Sequence, residues 1–338
     1  MASIDRVPLG QTGLVVPPIA VGCAELGNMP EAFAYGVSEA DALATVRAAL
    51  DSPLNYIDTA AWYGNGESER RVGKVLRERG GLPQGAILET KAGRDPDGDD
   101  YHPQTVKARF ERSLELLGVD RVHICFIHDA EWTRFEDVMT PGGVMEILQD
   151  YKRQGVIGAL GIAAGPVELS MRYVQTGMLD LLLTHNRYTL LNRAADAVQK
   201  EARRRGMGVV NAAPYGSGML AKGPDAYARY AYQSAPDEMI EVTRKIQQVC
   251  DKHNVPLAAA ALQFSMLDPN VDVTIVGMSK AERVQQTIDL AMVEIPQAVW
   301  DELAQLPTFD EDPELNRWKV SGKQPVFVAA MDDRGSNS

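Results

Sequence analysis

The chain has 338 residues, 45% of them hydrophobic and 24% charged, so it can bury a large core and is not disordered throughout. A formal charge of -12 excludes a role that depends on neutralising phosphate backbones, and we expect no nucleic-acid partner. Residues 1–9 lack a secretory pattern, and no run approaches ~18 uninterrupted apolar residues, so we expect a cytoplasmic protein with no membrane partner.

The predicted elements begin with a small β-hairpin, because residues 7–16 contain two short apolar segments joined by a glycine-containing turn. After the hairpin, apolar runs rich in β-branched residues alternate with longer amphipathic stretches, which is typical of repeated β-α units and a parallel sheet. The predicted strands are Pro18–Val21, Leu54–Asp58, Ile87–Lys91, Val122–His128, Ile157–Ile162, Leu181–His185, Gly208–Asn211 and Val273–Val276. The predicted helices are Glu39–Asp51, Glu67–Arg79, Pro103–Leu117, Pro141–Gln154, Pro166–Thr176, Arg193–Arg205, Asp237–His253 and Ala281–Ala291.

Eight strands, each followed by a helix, is the count at which a parallel sheet closes into a barrel. The competing doubly wound fold should carry GxGxxG after an early strand, but residues 23–27 read CAELG. We therefore predict an α/β protein, a (β/α)8 TIM barrel with an N-terminal β-hairpin and a C-terminal extension. The chain is expected to be one domain over residues 1–338, with the barrel at about 7–307. In the tail, 308–338, we expect an apolar patch at 325–331 and disorder from 332 onward.

Three polar residues end successive predicted strands: Asp58, Lys91 and His128. Active sites of such barrels lie at the carboxyl ends of the strands, so these side chains are catalytic candidates. Tyr63 lies in the loop after Asp58. Each residue alone has a structural explanation, such as a helix cap or an ordinary surface position, but their coincidence at neighbouring strand ends favours a shared site.

These four side chains suit proton transfer to or from an oxygen atom. We expect Asp58 and Lys91 to pair, because an unpaired charge in a partly dry site is costly. The Lys91 ammonium should lower the pKa of Tyr63, whose phenol could then donate a proton to an alkoxide or accept one from an alcohol near neutral pH. His128 is expected to hydrogen-bond the same substrate oxygen and orient it.

The chain has three cysteines, Cys23, Cys125 and Cys250, and they form no CxxC pair. We expect reduced thiols and no metal site.

Residues 57–69 (IDTAAWYGNGESE) resemble the Asp-Thr-Ala-x-x-Tyr-Gly-x-x-Glu segment of the aldo-keto reductase family. The resemblance covers nearly the whole chain, from about residue 7 to residue 307. It implies that the four candidate residues correspond, in the same order and strand context, to the active-site Asp, Tyr, Lys and His of that family.

The same resemblance implies that NAD or NADP lies across the barrel mouth without a Rossmann fold. The loop at residues 214–220 (PYGSGML) would close over the pyrophosphate, and residues 277–283 (GMSKAER) would open a helix toward the adenosine phosphate. Many NADP-dependent members carry Lys where this chain has Gly277. The cofactor-binding positions implied are Gly161, Ala163, Asn186, Tyr215, Gly216, Ser217, Gly218, Leu220, Gly277, Ser279, Lys280 and Arg283.

Three short segments, 26–28 (LGN), 128–129 (HD) and 187–191 (RYTLL), resemble a bacterial branch of the family that oxidises aldoses or pyridoxal. The resemblance implies hydride transfer between the nicotinamide and a sugar, at aldose C1, or a small aldehyde or ketone. Trp62 and Trp132 are predicted to form an aromatic wall for the substrate.

Three other functions stay open from the sequence. One is a general NADPH-dependent carbonyl reductase of xenobiotic or secondary-metabolite ketones, and another is a non-catalytic regulatory barrel. The third, a lyase or isomerase with a Schiff-base Lys91, leaves Tyr63 and Asp58 unexplained. In every case we expect a small-molecule ligand and a monomer or small homo-oligomer.

Overall fold

The computed structural model describes residues 4–95, 100–314 and 325–327. Its central feature is a closed barrel of eight parallel strands, in which chain neighbours pair and the last strand pairs with the first. The predicted (β/α)8 barrel is therefore confirmed. The barrel strands are Ile19–Gly22, Tyr56–Asp58, Ile87–Gly93, Val122–His128, Ile157–Ala163, Leu181–His185, Gly208–Ala212 and Val273–Gly277.

All eight predicted helices are present, and each of their ends lies within three residues of the predicted one. The largest differences, of three residues, are at the starts predicted at Pro141 and Arg193, where the helices begin at Val144 and Asp196. Before Val144, Gly142 takes a left-handed φ of 76°. The helices are Pro30–Phe33, Glu39–Leu50, Glu67–Glu78, Pro103–Leu117, Phe135–Met139, Val144–Arg153, Val167–Gln175, Asp196–Arg204, Met219–Lys222, Asp237–Lys252, Leu257–Met266, Glu282–Ala291 and Gln297–Leu303.

The helix that covers the barrel between its last two strands is not the predicted one. Leu257–Met266 contacts the eighth barrel strand, whereas Asp237–Lys252 lies outside it, against Leu257–Met266 and Gln297–Leu303. Leu257–Met266 escaped prediction because it is apolar on nearly all sides, and such a helix lacks the amphipathic period that sequence analysis detects.

The predicted hairpin closes the amino end of the barrel. Val7–Pro8 pairs antiparallel with Val15–Val16, and Leu9 between them is fully buried among side chains of the barrel interior. Gly10 has a φ of 49°, and a Cβ there would lie 2.2 Å from the backbone nitrogen of Gly208. Only glycine therefore lets the hairpin seat this closely.

The described part of the tail returns to the open end of the barrel. The Phe309 amide donates a hydrogen bond to the carbonyl of Leu191 at 2.8 Å, and Arg187 binds Asp312 and Glu314 at 2.8 and 2.9 Å. The predicted apolar patch is described only at residues 325–327, and the predicted disorder at 332–338 lies outside the described residues. Among the residues described, no helix has both the length and the apolar character needed to cross a bilayer.

Candidate active site

A cavity of about 920 Å³ opens at the carboxyl ends of the barrel strands. Its volume lies within the range of small-molecule and cofactor sites. Asp58, Tyr63, Lys91 and His128 all line it, so the structure brings together the four residues that the sequence singles out.

Lys91 and Asp58 form an ion pair at the base of the cavity. Their side chains are only 2% and 4% exposed, and Lys91 Nζ also donates to the Thr59 carbonyl at 3.0 Å. Burial alone would lower the pKa of Lys91, but the carboxylates of Asp58 and Glu89 raise it well above its ordinary value. Lys91 therefore stays an ammonium although it is dry.

Tyr63 lies against both Lys91 and His128. Lys91 Nζ is 4.9 Å from the centre of the Tyr63 ring, and the His128 ring meets the tyrosine ring edge-on, with 6.0 Å between centres. Burial raises the pKa of Tyr63 above its ordinary value, and Lys91 opposes this by lowering it. The expected effect of Lys91 is present, but the net direction is opposite to the prediction because desolvation of the phenolate outweighs it.

His128 is neutral near physiological pH. Burial lowers the pKa of His128 to about 4, although the neighbouring Asp129 carboxylate acts in the other direction. A neutral imidazole has one N–H donor and one acceptor nitrogen, so His128 can donate to a substrate oxygen without carrying charge.

Beneath the ion pair, Glu89 occupies a position that barrels normally fill with a branched apolar residue. It is fully buried, accepts a hydrogen bond from the Tyr56 hydroxyl and lies 3.7 Å from Lys91 Nζ. Burial and the nearby Asp58 carboxylate raise the pKa of Glu89 well above its ordinary value. The sequence analysis missed this residue, although a glutamate inside an apolar run was a visible signal.

Three non-glycine residues that directly follow a barrel strand adopt the left-handed backbone region. They are Asp129, Asn186 and Ala213, with φ values of 53°, 56° and 56°. Each follows a barrel strand, and such strain persists only where the surrounding structure enforces it. The left-handed conformation turns the chain sharply where the fourth, sixth and seventh barrel strands end.

Trp62 and Trp132 both line the cavity, as predicted, but they also hold a cation. The Arg94 guanidinium lies 3.9 Å from the ring centre of each tryptophan, and Arg94 Nε is 3.4 Å from Asp129. The two indoles and the guanidinium that they hold therefore give this part of the cavity both apolar surface and a fixed positive charge. Arg94 directly follows the third barrel strand, three residues after Lys91, yet the sequence analysis did not single it out.

A second polar pair also lines the cavity. His185 Nε2 lies 3.1 Å from Glu314 Oε2, and Glu314 is held by the buried Arg187. His185 ends a predicted strand and could have been found by the rule that identified His128. Glu314 comes from the tail, and nothing in the local sequence indicates that it reaches the cavity.

The predicted cofactor positions divide into two groups. Gly161, Asn186, Gly216, Leu220 and Lys280 lie outside the lining of the cavity. Gly161 is packed behind it, because a Cβ there would lie 2.4 Å from the Phe126 ring. The positions that line it are Ala163, Tyr215, Ser217, Gly218, Gly277, Ser279 and Arg283.

Two buried polar atoms beside the cavity fit a dinucleotide. Asn186 Nδ2 and Tyr215 Oη are shielded from solvent and have no hydrogen-bond partner among the described residues. A buried polar atom without a hydrogen-bond partner destabilises the folded protein unless a ligand or a water molecule forms the missing hydrogen bond. Asn186 is predicted to bind the nicotinamide carboxamide, whose oxygen would accept the hydrogen bond that Asn186 Nδ2 lacks.

The helix after the eighth strand offers two residues that the sequence analysis missed. Gln286 and Thr287 line the cavity together with Arg283, and Arg283 Nη1 donates to Gln286 Oε1 at 3.0 Å. Their spacing of three and four residues from Arg283 places all three on one helix face.

Comparison with known proteins confirms the predicted resemblance. Residues 18–307 match the Aldo/keto reductase family, and the chain belongs to that family. It is accordingly an NAD(P)-dependent oxidoreductase of carbonyl or sugar substrates.

Among its relatives, D-threo-aldose 1-dehydrogenase from Pseudomonas sp is 33% identical over 320 residues, covering 87% of this chain and 94% of the relative. Pyridoxal 4-dehydrogenase from Microbacterium luteolum is 29% identical, covering 88% of this chain and 96% of that protein. Aldo-keto reductase AKR11C1 from Bacillus halodurans, in its holo form, superimposes with a TM-score of 0.75 at 21% identity. That alignment covers 93% of this chain and 100% of the other.

Proposed function

We propose that this protein is a dehydrogenase that oxidises an aldose at C1, with Tyr63 as the proton-transfer group. The observation that carries the proposal is the position of Tyr63 in the cavity, between the Lys91 ammonium and the neutral His128 imidazole. When bound, the nicotinamide accepts the hydride from C1 or, in the reverse direction, returns it.

In the oxidative direction the substrate O1–H bond breaks as the C1–H bond breaks. The proton passes to Tyr63 Oη, the hydride leaves C1, and the new C=O bond makes a lactone from a cyclic aldose. Lys91 favours the phenolate form that Tyr63 needs to accept this proton, and Asp58 holds Lys91 in place. His128 donates a hydrogen bond to the same oxygen and fixes C1 for transfer.

The substrate side of the cavity supports a sugar. A pyranose ring has one apolar face and a rim of hydroxyls that both donate and accept hydrogen bonds. Trp62 and Trp132 supply apolar surface, and the Arg94–Asp129 pair beside them has donors and acceptors together. The relation to D-threo-aldose 1-dehydrogenase agrees with this assignment.

Further parts of the proposal concern organisation. We propose one domain over residues 1–338, supported by the contacts of Phe309 and Asp312 with the barrel.

A cytoplasmic location is supported by the three cysteines, which are buried and unpaired. We also propose a monomer or small homo-oligomer that acts on small molecules and binds neither nucleic acid nor membranes, as its negative charge supports.

The test is an initial-rate assay at the nicotinamide absorbance band. NAD+ and NADP+ are each paired with L-fucose, D-galactose, D-arabinose and pyridoxal, and NADH and NADPH with an aromatic aldehyde. We expect oxidation of at least one aldose. Oxidation of pyridoxal alone would reassign the substrate, and reduction of the aldehyde without any sugar oxidation would contradict the proposal.

A further inference from the structure

Glu25 carries a carboxylate in the cavity that the proposed chemistry does not use. It follows the first barrel strand and lines the cavity. Its Oε2 is shielded from solvent and has no hydrogen-bond partner among the residues described. A buried acceptor in this state is destabilising until a donor reaches it, and the cavity is the open side from which a donor can come.

The surroundings of Glu25 place it between the two ends of the cavity. A Cβ at Gly277 would lie 2.1 Å from Glu25 Oε1, so the carboxylate packs on the carboxyl end of the eighth barrel strand. Burial and the Glu25 charge raise the pKa of Tyr35 to about 12, while a hydrogen bond from Ser279 and the charge of Arg283 act in the other direction. Tyr35 is thus flanked by Glu25 on one side and the start of the following helix on the other.

Toward the other end lies the ion-paired base of the cavity. Burial and the charge of Asp58 raise the pKa of Glu25 to about 7, so the two carboxylates are within electrostatic reach. A dinucleotide that extends from Tyr63 to Arg283 therefore passes Glu25 along its length.

Only some groups of a dinucleotide can satisfy this carboxylate. The pyrophosphate is an anion and is repelled, whereas ribose hydroxyls donate hydrogen bonds that favour the ionised form. Glu25 packs against Gly277, where the chain turns toward Ser279 and Arg283. The resemblance of residues 277–283 to the family's adenosine-phosphate segment implies that this is the adenosine end. In dinucleotide-binding proteins of another fold, an acidic side chain binds the ribose 2'-hydroxyl of NAD.

We infer that Glu25 accepts a hydrogen bond from the adenosine ribose 2'-hydroxyl and makes this protein select NAD over NADP. The inference rests on the proposed function, because it requires a dinucleotide in this cavity. A 2'-phosphate removes the donor and places an anion beside the carboxylate. Arg283 offsets this only in part, since it is exposed and already donates to Gln286.

The test measures dissociation constants of NAD+ and NADP+ by isothermal titration calorimetry with the full chain. We expect the unaltered protein to bind NAD+ at least about tenfold more tightly than NADP+. Glu25→Gln keeps the shape and removes the charge, and it should reduce this ratio by about tenfold, mainly through tighter NADP+ binding. Glu31→Gln, an exposed change on the adjacent helix, should leave the ratio unaltered.

Equal affinity for the two nucleotides, tighter NADP+ binding by the unaltered protein, or an unchanged ratio in Glu25→Gln would overturn the inference while leaving the proposed function intact. Failure of the folded, unaltered protein to bind either nucleotide would overturn both. Gly277→Ala is a second variant, because its methyl group displaces the Glu25 carboxylate. It should lower the NAD+ preference in the same direction, and a preference that stays the same counts against the assignment.

Discussion

Lys91 and Asp58 form a dry ion pair that joins the second and third barrel strands beneath the Tyr63 ring. With side chains only 2% and 4% exposed, neither can turn to water if its partner is removed. The pair therefore holds the acid-base group in position, and it makes the barrel sensitive to the loss of either charge.

Removing only Lys91 should destabilise the protein more than removing both members of the pair. We expect Lys91→Met to lower the free energy of unfolding by ~3–5 kcal/mol, because Asp58 is left as an uncompensated buried charge. Adding Asp58→Asn should restore part of this loss. Urea denaturation measures both effects.

The matched control is Lys74→Met, which removes the exposed pair of Lys74 with Glu39. This change should alter the free energy of unfolding by less than ~1 kcal/mol. The interpretation would be contradicted if Lys91→Met with Asp58→Asn were as unstable as Lys91→Met alone. It would also be contradicted if Lys74→Met lowered the free energy of unfolding as much as Lys91→Met.

Replacing Tyr63 by Phe should reduce kcat by several orders of magnitude and leave the dissociation constant of NAD+ nearly unchanged. Only the phenol hydroxyl is lost, while the ring that packs beside His128 stays. Stopped-flow turnover and calorimetric binding test the two halves separately. Tyr151→Phe, remote from the cavity, is the control, and loss of nucleotide binding in Tyr63→Phe would argue against the proton-transfer role.

Any residual activity of Lys91→Met should move to higher pH. Lys91 lowers the pKa of Tyr63 against the opposing effect of burial, so its removal raises the pH at which the phenolate forms. The pH dependence of kcat/KM for aldose oxidation shows the shift. An unmoved profile would mean that the two residues are not coupled.

Arg94→Ala should raise KM for the aldose by about 10- to 100-fold, the range expected for loss of a hydrogen bond from a charged donor to the sugar, with little change in NAD+ affinity. Arg94 lies between Trp62 and Trp132, the predicted substrate-binding residues. Arg94→Lys keeps the charge but loses the planar guanidinium. Its KM for the aldose should lie between that of the unaltered protein and that of Arg94→Ala. If Arg94→Ala bound NAD+ more weakly but kept an unchanged KM for the aldose, Arg94 would not be a substrate-binding residue.

The buried glutamates contribute stability that falls as pH rises, because they bind protons more tightly in the folded state. Burial raises the pKa of Glu69 to about 7 from an ordinary value of 4.5. Its contribution is complete below pH 4.5 and is lost as pH rises through 7. In the absence of ligand, Glu25 and Glu131 act in the same direction, with pKa values raised to about 7 and about 8.

The Glu69→Gln variant should flatten this dependence by up to ~3 kcal/mol between pH 5 and pH 8. Urea denaturation at the two pH values provides the measurement. Glu115→Gln, at an exposed position of helix Pro103–Leu117, should leave the slope as it is. A slope as steep in Glu69→Gln as in the unaltered protein would contradict the assignment.

Much of the architecture and the centre of the site could be predicted from local patterns. The alternation of apolar runs and amphipathic stretches indicated all eight barrel strands, and the polar residues ending three of the predicted strands were Asp58, Lys91 and His128. Parallel strands bring their carboxyl ends to one edge, so a residue's place in its own strand was enough to locate it. Tyr63 was found by the same reasoning, because it lies in the loop that follows Asp58.

The other residues of the site were decided by tertiary structure. Glu314 reaches the cavity only because Arg187, which precedes it by more than a hundred residues, binds the tail, and Arg94 is held by two tryptophans from different loops. Glu25 gains its place from the backbone of Gly277 at the far end of the barrel sequence. The spacing of apolar residues shows which faces of a helix or strand are buried. The contacts of Glu314, Arg94 and Glu25 depend instead on how the loops and the tail pack over the mouth of the barrel.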